Sequence, residues 1–113
     1  YYHLKPRKQR NNAMTYRITM GMLEREVAKL NSLTNSPSTP YSKRENGKGY
    51  EANVGNYHIA GAYGGWKVER MVNPGGGITH PTGLDTGFVS KRKCYENLRA
   101  FISGIEHGLE NVA

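Results

Sequence analysis

The sequence predicts an α+β fold in the order α-β-β-β-α, with a small antiparallel meander sheet packed on two helices. Three observations lead to this prediction. Apolar residues recur at helical spacing near both ends of the chain, they alternate with polar residues in its middle, and glycine pairs interrupt the alternating part. A chain of 113 residues, 36% of them hydrophobic, is long enough for one domain with one core.

The first helix is predicted to begin at about Thr15 or Thr19 and to end at Leu33. Polar and charged residues fill the face opposite its apolar stripe. Residues 35–40, where two prolines stand among small polar residues, predict a loop after this helix. The stripe consists of Met20, Leu23, Val27 and Leu30.

Three strands are predicted in the middle of the chain. The first covers residues 50–54, and Gly55-Asn56 is interpreted as a two-residue hairpin connection to a second strand at 57–62. Gly64-Gly65 is interpreted as a second hairpin turn, which leads into a third strand at 66–72. A sheet of three strands needs a helical layer to cover one face, so the flanking helices are expected to pack on it.

Residues 73–87 are predicted to form a mobile glycine-rich loop before the last helix. Ser90 is a favourable N-cap residue, so the helix is expected to begin there. Tyr95 and Ile102 are expected to flank its buried stripe. The stripe is predicted to consist of Cys94, Leu98, Phe101, Ile105 and Leu109.

The net charge of +7 is concentrated at the beginning of the chain. Residues 1–12 contain four basic residues and no acidic one; without them twelve basic and nine acidic residues remain, a net charge of +3. We therefore interpret residues 1–13 as a disordered basic leader or an added remnant, and 14–113 as a single domain. Apolar runs are too short to span a bilayer and the single cysteine suits a reducing compartment, so a cytoplasmic protein without membrane contact is expected.

Ser90-Lys91-Arg92-Lys93 is the most informative motif. The first turn of a helix carries the positive end of the macrodipole and N–H groups without partners, so three cations there are unfavourable unless an anion faces them. Glycine-rich backbone and aromatic faces commonly complete sites for phosphates and bases. The predicted phosphate-binding residues are Ser90, Lys91, Arg92, Lys93, Asn73, Gly75, Gly76 and Gly77, and the predicted base-stacking residues are Tyr57, Tyr63 and Trp66.

Catalytic and metal-binding motifs are not evident in the sequence. Cys94 falls on the buried stripe of the last helix and is interpreted as a core residue, and His58, His80 and His107 lack the spacing of metal ligands. We therefore predict neither catalysis nor a metal or other cofactor, although residues distant in sequence can still meet in space.

The element order and the Ser-Lys-Arg-Lys start of the last helix resemble the double-stranded-RNA-binding domain. In that family the last helix opens with lysines that contact phosphates across an A-form groove. The resemblance implies that Lys91, Arg92 and Lys93 contact phosphates and that the chain is a nucleic-acid-binding module.

Short motifs spread over residues 23–106 carry a second resemblance. They are Leu30-Asn31-x-Leu33-Thr34, Pro40-Tyr41, Asn53-Val54-Gly55-Asn56-Tyr57-His58 and Ala62-Tyr63-Gly64-Gly65, followed by a glycine run and a helix that closes in Phe101-Ile102-x-Gly104-Ile105. In these motifs the chain resembles small proteins of bacteriophages and prophages, and its size resembles anti-Thoeris sponges that sequester cyclic ADP-ribose signals. That resemblance implies an aromatic residue on the base (Tyr63 or Trp66), with Asn73 and Arg92 on the phosphates.

Three functional hypotheses follow. The first is a phage-type anti-defence protein that sequesters an anionic cyclic nucleotide, or another phosphate-bearing small molecule, without catalysis in the host cytoplasm. The second is the nucleic-acid-binding module, and the third is a protein inhibitor of a host factor. A homo-oligomer is expected because one small sheet does not fully bury the apolar stripes of two helices.

Overall fold

Two helices cover one three-stranded antiparallel sheet in the computed structural model. The structure describes residues 16–84 and 87–112, with residues 111 and 112 described by their backbone alone. The predicted leader 1–13 lies outside the described residues. The helices of the described part are α1 (Met20–Leu33) and α2 (Lys91–Val112). The strands are β1 (Tyr41–Lys43), β2 (Tyr50–Ala52), β3 (Tyr57–Ala62), β4 (Gly65–Met71) and β5 (Ile78–Thr79). The α+β class is confirmed.

Helix α1 begins where its capping residue predicts. The hydroxyl of Thr19 accepts a hydrogen bond from the N–H of Met22 at 3.2 Å, which satisfies one of the donors that the first turn leaves without a partner. Leu23, Val27 and Leu30 are buried against the sheet and α2. The predicted apolar stripe is therefore confirmed, with Met20 at its partly exposed edge.

The main sheet is a three-stranded antiparallel meander, as predicted, but its strands are not the predicted three. The main sheet has the order β3-β4-β5, while β2 pairs with β1 in a separate two-stranded ribbon. The prediction that residues 50–54 form the first strand of the main sheet was wrong. Its third strand is β5, which lies inside the segment 73–87 that the sequence assigned to a loop.

A turn followed by a β-bulge separates the ribbon from the main sheet. The N–H of Asn56 donates to the carbonyl of Asn53, and Gly55 and Asn56 together stand opposite Met71, with hydrogen bonds of 2.8 and 2.9 Å on either side of it. Gly55 has a φ of 97°, as the first residue of this kind of bulge requires. The interpretation of Gly55-Asn56 as a hairpin connection was wrong because the bulge redirects the chain away from β2.

The hairpin between β3 and β4 turns one residue earlier than predicted. Tyr63 and Gly64 form the connection with φ of 54° and 74°, and Gly65 is already paired with Ala62. A Cβ atom on Gly65 would lie 2.9 Å from the backbone carbon of Phe88. Gly65 is therefore required for close packing against the segment that leads into α2, and not for the turn.

Helix α2 begins after Ser90, as predicted. The Ser90 hydroxyl accepts a hydrogen bond from the N–H of Lys93 at 3.1 Å. The most buried residues of α2 are Cys94, Leu98 and Ile102. The first half of the predicted stripe is therefore correct. In the second half Ile102 is the buried residue, while Phe101 and Ile105 are partly buried and Leu109 is 49% exposed. Leu84, from the segment predicted as a loop, completes the core.

The two helices run parallel. Glu26 on α1 lies 3.9 Å from Arg99 on α2, and Lys29, one turn further along α1, lies 3.6 Å from Glu106, further along α2. Both N-termini therefore lie at the same end of the molecule. Within the described ranges, no helix combines the length and the apolar character that crossing a membrane requires.

Candidate functional site

The end of the molecule where both helices begin carries a cationic and aromatic surface. Neither helix has an acidic residue in its first turn, so the positive ends of two macrodipoles are not neutralised locally. The N-terminal end of β4 reaches this point because Trp66 and Val89 exchange two backbone hydrogen bonds of 2.7 and 2.9 Å. We call this the helix-start surface; it consists of Tyr16, Tyr63, Trp66, Phe88 and residues 90–93.

Two of the three cations at the start of α2 lie against aromatic rings. The guanidinium of Arg92 donates to the backbone carbonyl of Tyr16 and lies 5.4 Å from the centre of its ring. The ammonium of Lys91 lies 5.8 Å from the centre of the Trp66 ring. Ring faces attract cations, so these contacts offset part of the unfavourable charge in the first turn. Lys93 is exposed, and its ammonium has no partner among the described residues.

The first turn of α2 also offers backbone donors. Ser90 satisfies the N–H of Lys93 through its hydroxyl and the N–H of Cys94 through its carbonyl. The N–H groups of Lys91 and Arg92 have no acceptor in the described part of the chain, as expected for the first positions of a helix. An anion placed there would meet two free N–H groups, with the exposed Lys93 in the same turn.

Tyr63 is the most exposed aromatic residue of this surface. It lies at the tip of the β3–β4 hairpin, the residue is 96% exposed, and its backbone is in the left-handed region. Its ring meets the edge of Phe88 at a centroid distance of 5.7 Å and an angle of 66°. Phe88 is two residues before Ser90, so the contact with Phe88 places the Tyr63 ring near the start of α2.

The other two predicted stacking residues do not present a free ring face. Trp66 packs over Gly61, where a Cβ atom would lie 2.5 Å from its ring, and Lys91 lies over the same indole. Tyr57 is buried in the core, 6.3 Å from the ring of Phe101. Of the three, Tyr63 alone remains a candidate for stacking on a base.

The predicted glycine element lies elsewhere. Asn73 accepts a hydrogen bond from the N–H of Gly77 at 2.9 Å, and Gly76 donates to the carbonyl of Asn73, so the turn closes on itself. This turn follows the C-terminal end of β4, whereas Trp66 lies at the beginning of β4. Five residues of extended strand separate the two ends of β4 by about 17 Å. The structure therefore does not bring Asn73 and the glycines 75–77 to the start of α2.

A cavity of about 300 Å³ lies between α1 and the outer edge of β3. The sequence prediction missed it. Its walls include apolar residues such as Met20 and Val27, and polar residues such as Glu24, Asn31 and His58. Asn31 is the signal that could have indicated it, since an amide next to Val27 and Leu30 on an apolar stripe requires a buried partner.

His58 and His80 both approach the carboxylate of Glu69. The carboxylate of Glu69 lies 3.3 Å from Nε2 of His58, 3.6 Å from Nε2 of His80 and 3.9 Å from the ammonium of Lys67. Among the described residues no group of three or more His, Cys, Asp or Glu side chains is arranged to hold a metal ion. Cys94 lies in the core as predicted, and burial raises the pKa of its thiol, which favours the unreactive protonated form.

Comparisons with protein-family models, with curated proteins and with solved structures found no match for this chain. The resemblances to phage proteins and to the double-stranded-RNA-binding domain therefore stay predictions. The homo-oligomer and the cytoplasmic location inferred from the sequence also stay predictions.

Proposed function

We propose that the protein binds a nucleotide without catalysis, with the base on Tyr63 and the phosphate at the start of α2. The observation that carries this proposal is the position of Tyr63. A bulky residue in the left-handed region costs about 1 kcal/mol or more, and the first position of such a turn is usually Asn or Gly. An exposed aromatic residue kept in a strained position next to a helix N-terminus supports a role in binding.

The charges of the helix-start surface favour a phosphate-bearing ligand. Two free N–H groups, the Lys93 ammonium and two helix dipoles act in the same direction, and the first turns contain no carboxylate. Lys91 and Arg92 contribute positive potential, while their side chains are held by Trp66 and Tyr16. For a phage-encoded protein, sequestering a cyclic nucleotide signal is the biological role that this proposal implies.

The test compares two variants of the hairpin tip with a control. We expect Tyr63→Ala and Tyr63→Asn to weaken cyclic ADP-ribose or cyclic dinucleotide binding about tenfold in calorimetry, because a stacked base contributes about 1–3 kcal/mol. Tyr63→Asn should at the same time raise the melting temperature, since Asn tolerates the left-handed region. The control is Tyr50→Ala, because Tyr50 is also exposed but lies on the ribbon.

A charge reversal tests the phosphate end separately. Lys93→Glu should weaken binding at least tenfold, while Lys48→Glu on the ribbon should have little effect. The bound ligand, recovered by mass spectrometry after heat release, should be chemically intact. Wild-type affinity in Tyr63→Ala, or recovery of a cleaved ligand, would contradict the proposal.

A second candidate function is binding of a nucleic acid through the β1–β2 ribbon. Tyr41 and Tyr50 are 51% and 65% exposed there, and Lys43, Arg44 and Lys48 are exposed beside them. Ribbons of this kind enter grooves or present rings to bases. This function predicts an affinity for duplex or single-stranded RNA that falls steeply with salt and is reduced by Tyr50→Ala and Lys48→Glu, the two controls of the first test.

A further inference from the structure

The outer edge of β3 has unpaired backbone groups. β3 is the edge strand of the order β3-β4-β5, and its hairpin closes at the pair Ala62–Gly65. In an antiparallel pair every second residue directs its N–H and C=O away from the partner strand, and after a two-residue turn these residues are Gly61 and Ile59. Neither has a hydrogen-bond partner outside the sheet among the described residues.

Asn31 shows that an outward-facing residue of β3 can both donate and accept a hydrogen bond at this edge. Its side-chain amide accepts a hydrogen bond from the N–H of Tyr57 at 2.8 Å and donates to the carbonyl of Tyr57 at 3.0 Å. A residue of a neighbouring antiparallel strand would make the same two bonds through its own N–H and C=O. Helix α1 thus supplies one pair of strand-like hydrogen bonds, and the next outward-facing residue along β3, Ile59, has none.

The cavity between α1 and β3 reaches these unpaired groups at Ile59, which is one of its lining residues. Its α1 wall extends from Met20 to Asn31, which is about 16 Å of helix and matches about five residues of extended chain. Val27 and Ile59 give it an apolar lining. Glu24 is the carboxylate on this wall, and it has no ion-pair partner among the described residues.

We propose that this groove binds an extended peptide segment of a partner protein, which adds to the sheet as a further strand beside β3. Its backbone pairs with Ile59 and Gly61, an apolar side chain fills the cavity, and a Lys or Arg side chain meets Glu24. Addition of a strand to a free sheet edge is an established mode of peptide recognition. The uncompensated carboxylate favours a basic peptide over an anionic ligand, so this site is distinct from the helix-start surface.

The experiment uses the full chain and a hexapeptide that alternates lysine and valine and is blocked at both ends. We expect saturable binding with chemical-shift changes and slower hydrogen exchange at the amides of Ile59 and Gly61. Ala28→Trp should weaken it at least tenfold, because Ala28 is exposed on α1 and lines the cavity. The matched control is Ala100→Trp, since Ala100 is exposed on α2 and does not line the cavity.

A charge exchange tests the choice of peptide. Glu24→Lys should weaken binding of the lysine peptide and strengthen binding of the same peptide with glutamate in place of lysine. Absence of saturable binding, or equal losses in the two tryptophan variants, would overturn the proposal.

Two further results would assign the groove to another occupant and would also overturn it. One is slow exchange of the Ile59 amide in the free monomer, which would show that the chain covers its own edge. The other is a dimer that Ala28→Trp dissociates, which would show that a second copy occupies the groove. Neither readout depends on a nucleotide, so failure here is distinguishable from failure of the proposed function.

Discussion

Replacement of Asn31 by leucine tests whether one side chain joins α1 to the sheet. Asn31 is 3% exposed, and its amide makes both hydrogen bonds to the backbone of Tyr57, at 2.8 and 3.0 Å. Leucine has the same branching at Cγ and a larger volume, so the substitution removes the two bonds without opening a cavity. The Tyr57 N–H and C=O would then have no protein partner in a mostly buried position.

The expected loss follows from the cost of leaving buried polar groups without partners. Each such group costs about 1–3 kcal/mol, and two of them give about 2–6 kcal/mol. Water can reach the site through the adjacent cavity, so we expect a loss of unfolding free energy in the lower half of this range, about 2–4 kcal/mol. A domain of this size has about 5–15 kcal/mol of stability in total, so the loss is large.

Urea unfolding followed by the fluorescence of Trp66 measures this loss. The control is Asn46→Ala, which removes one exposed hydrogen bond to the N–H of Lys48 and should change the free energy of unfolding by less than about 0.5 kcal/mol. Asn31→Asp should be least stable at neutral pH and recover as the pH falls toward about 4, because a protonated carboxyl group can donate to Tyr57 again. A loss below about 1 kcal/mol for Asn31→Leu would refute the argument.

Three further predictions concern the core and the start of α2. Gly61→Ala should lower the free energy of unfolding by about 1–3 kcal/mol, because the new methyl group would lie 2.5 Å from the Trp66 ring. An unchanged melting temperature would contradict this contact. Ser90→Ala should cost about 1 kcal/mol in urea unfolding, because the N–H of Lys93 loses its acceptor. Burial raises the pKa of the Cys94 thiol above its ordinary 9.0. The unfolded state therefore loses the thiol proton first, and the free energy of unfolding should fall as the pH rises above 9. A thiol reagent should react slowly with the folded protein below that pH, and fast reaction would argue against burial.

The helix starts could be predicted because their causes are local. Thr19 and Ser90 each bond to an N–H three residues later, and such short-range chemistry is readable from the sequence. The strand partners could not be predicted in the same way. Alternation shows that residues 50–54 suit a strand, but the bulge opposite Met71 decides which sheet receives them, and that contact is distant in sequence.

The candidate site was predictable only in part, because its assembly depends on a contact between residues distant in sequence. Tyr63 and residues 90–93 lie at the same end of the molecule because β4 begins where α2 begins, through the Trp66–Val89 pairing. The glycines 75–77 are closer to Ser90 in sequence than Tyr63 is, yet they lie at the other end of β4. Proximity along the chain is a poor guide when a whole strand lies between two segments.

The β1–β2 ribbon has a practical consequence for protein engineering. Residues 41–51 are exposed throughout. At the base of the ribbon, the N–H of Asn53 donates to the carbonyl of Pro40 and closes the ribbon, and the N–H of Ala52 donates to the carbonyl of Pro74 and joins it to the domain. The turn at Asn46-Gly47 is therefore a suitable place to insert a fluorophore-labelling tag or an epitope. A label there would not touch the residues that form the helix-start surface or the groove.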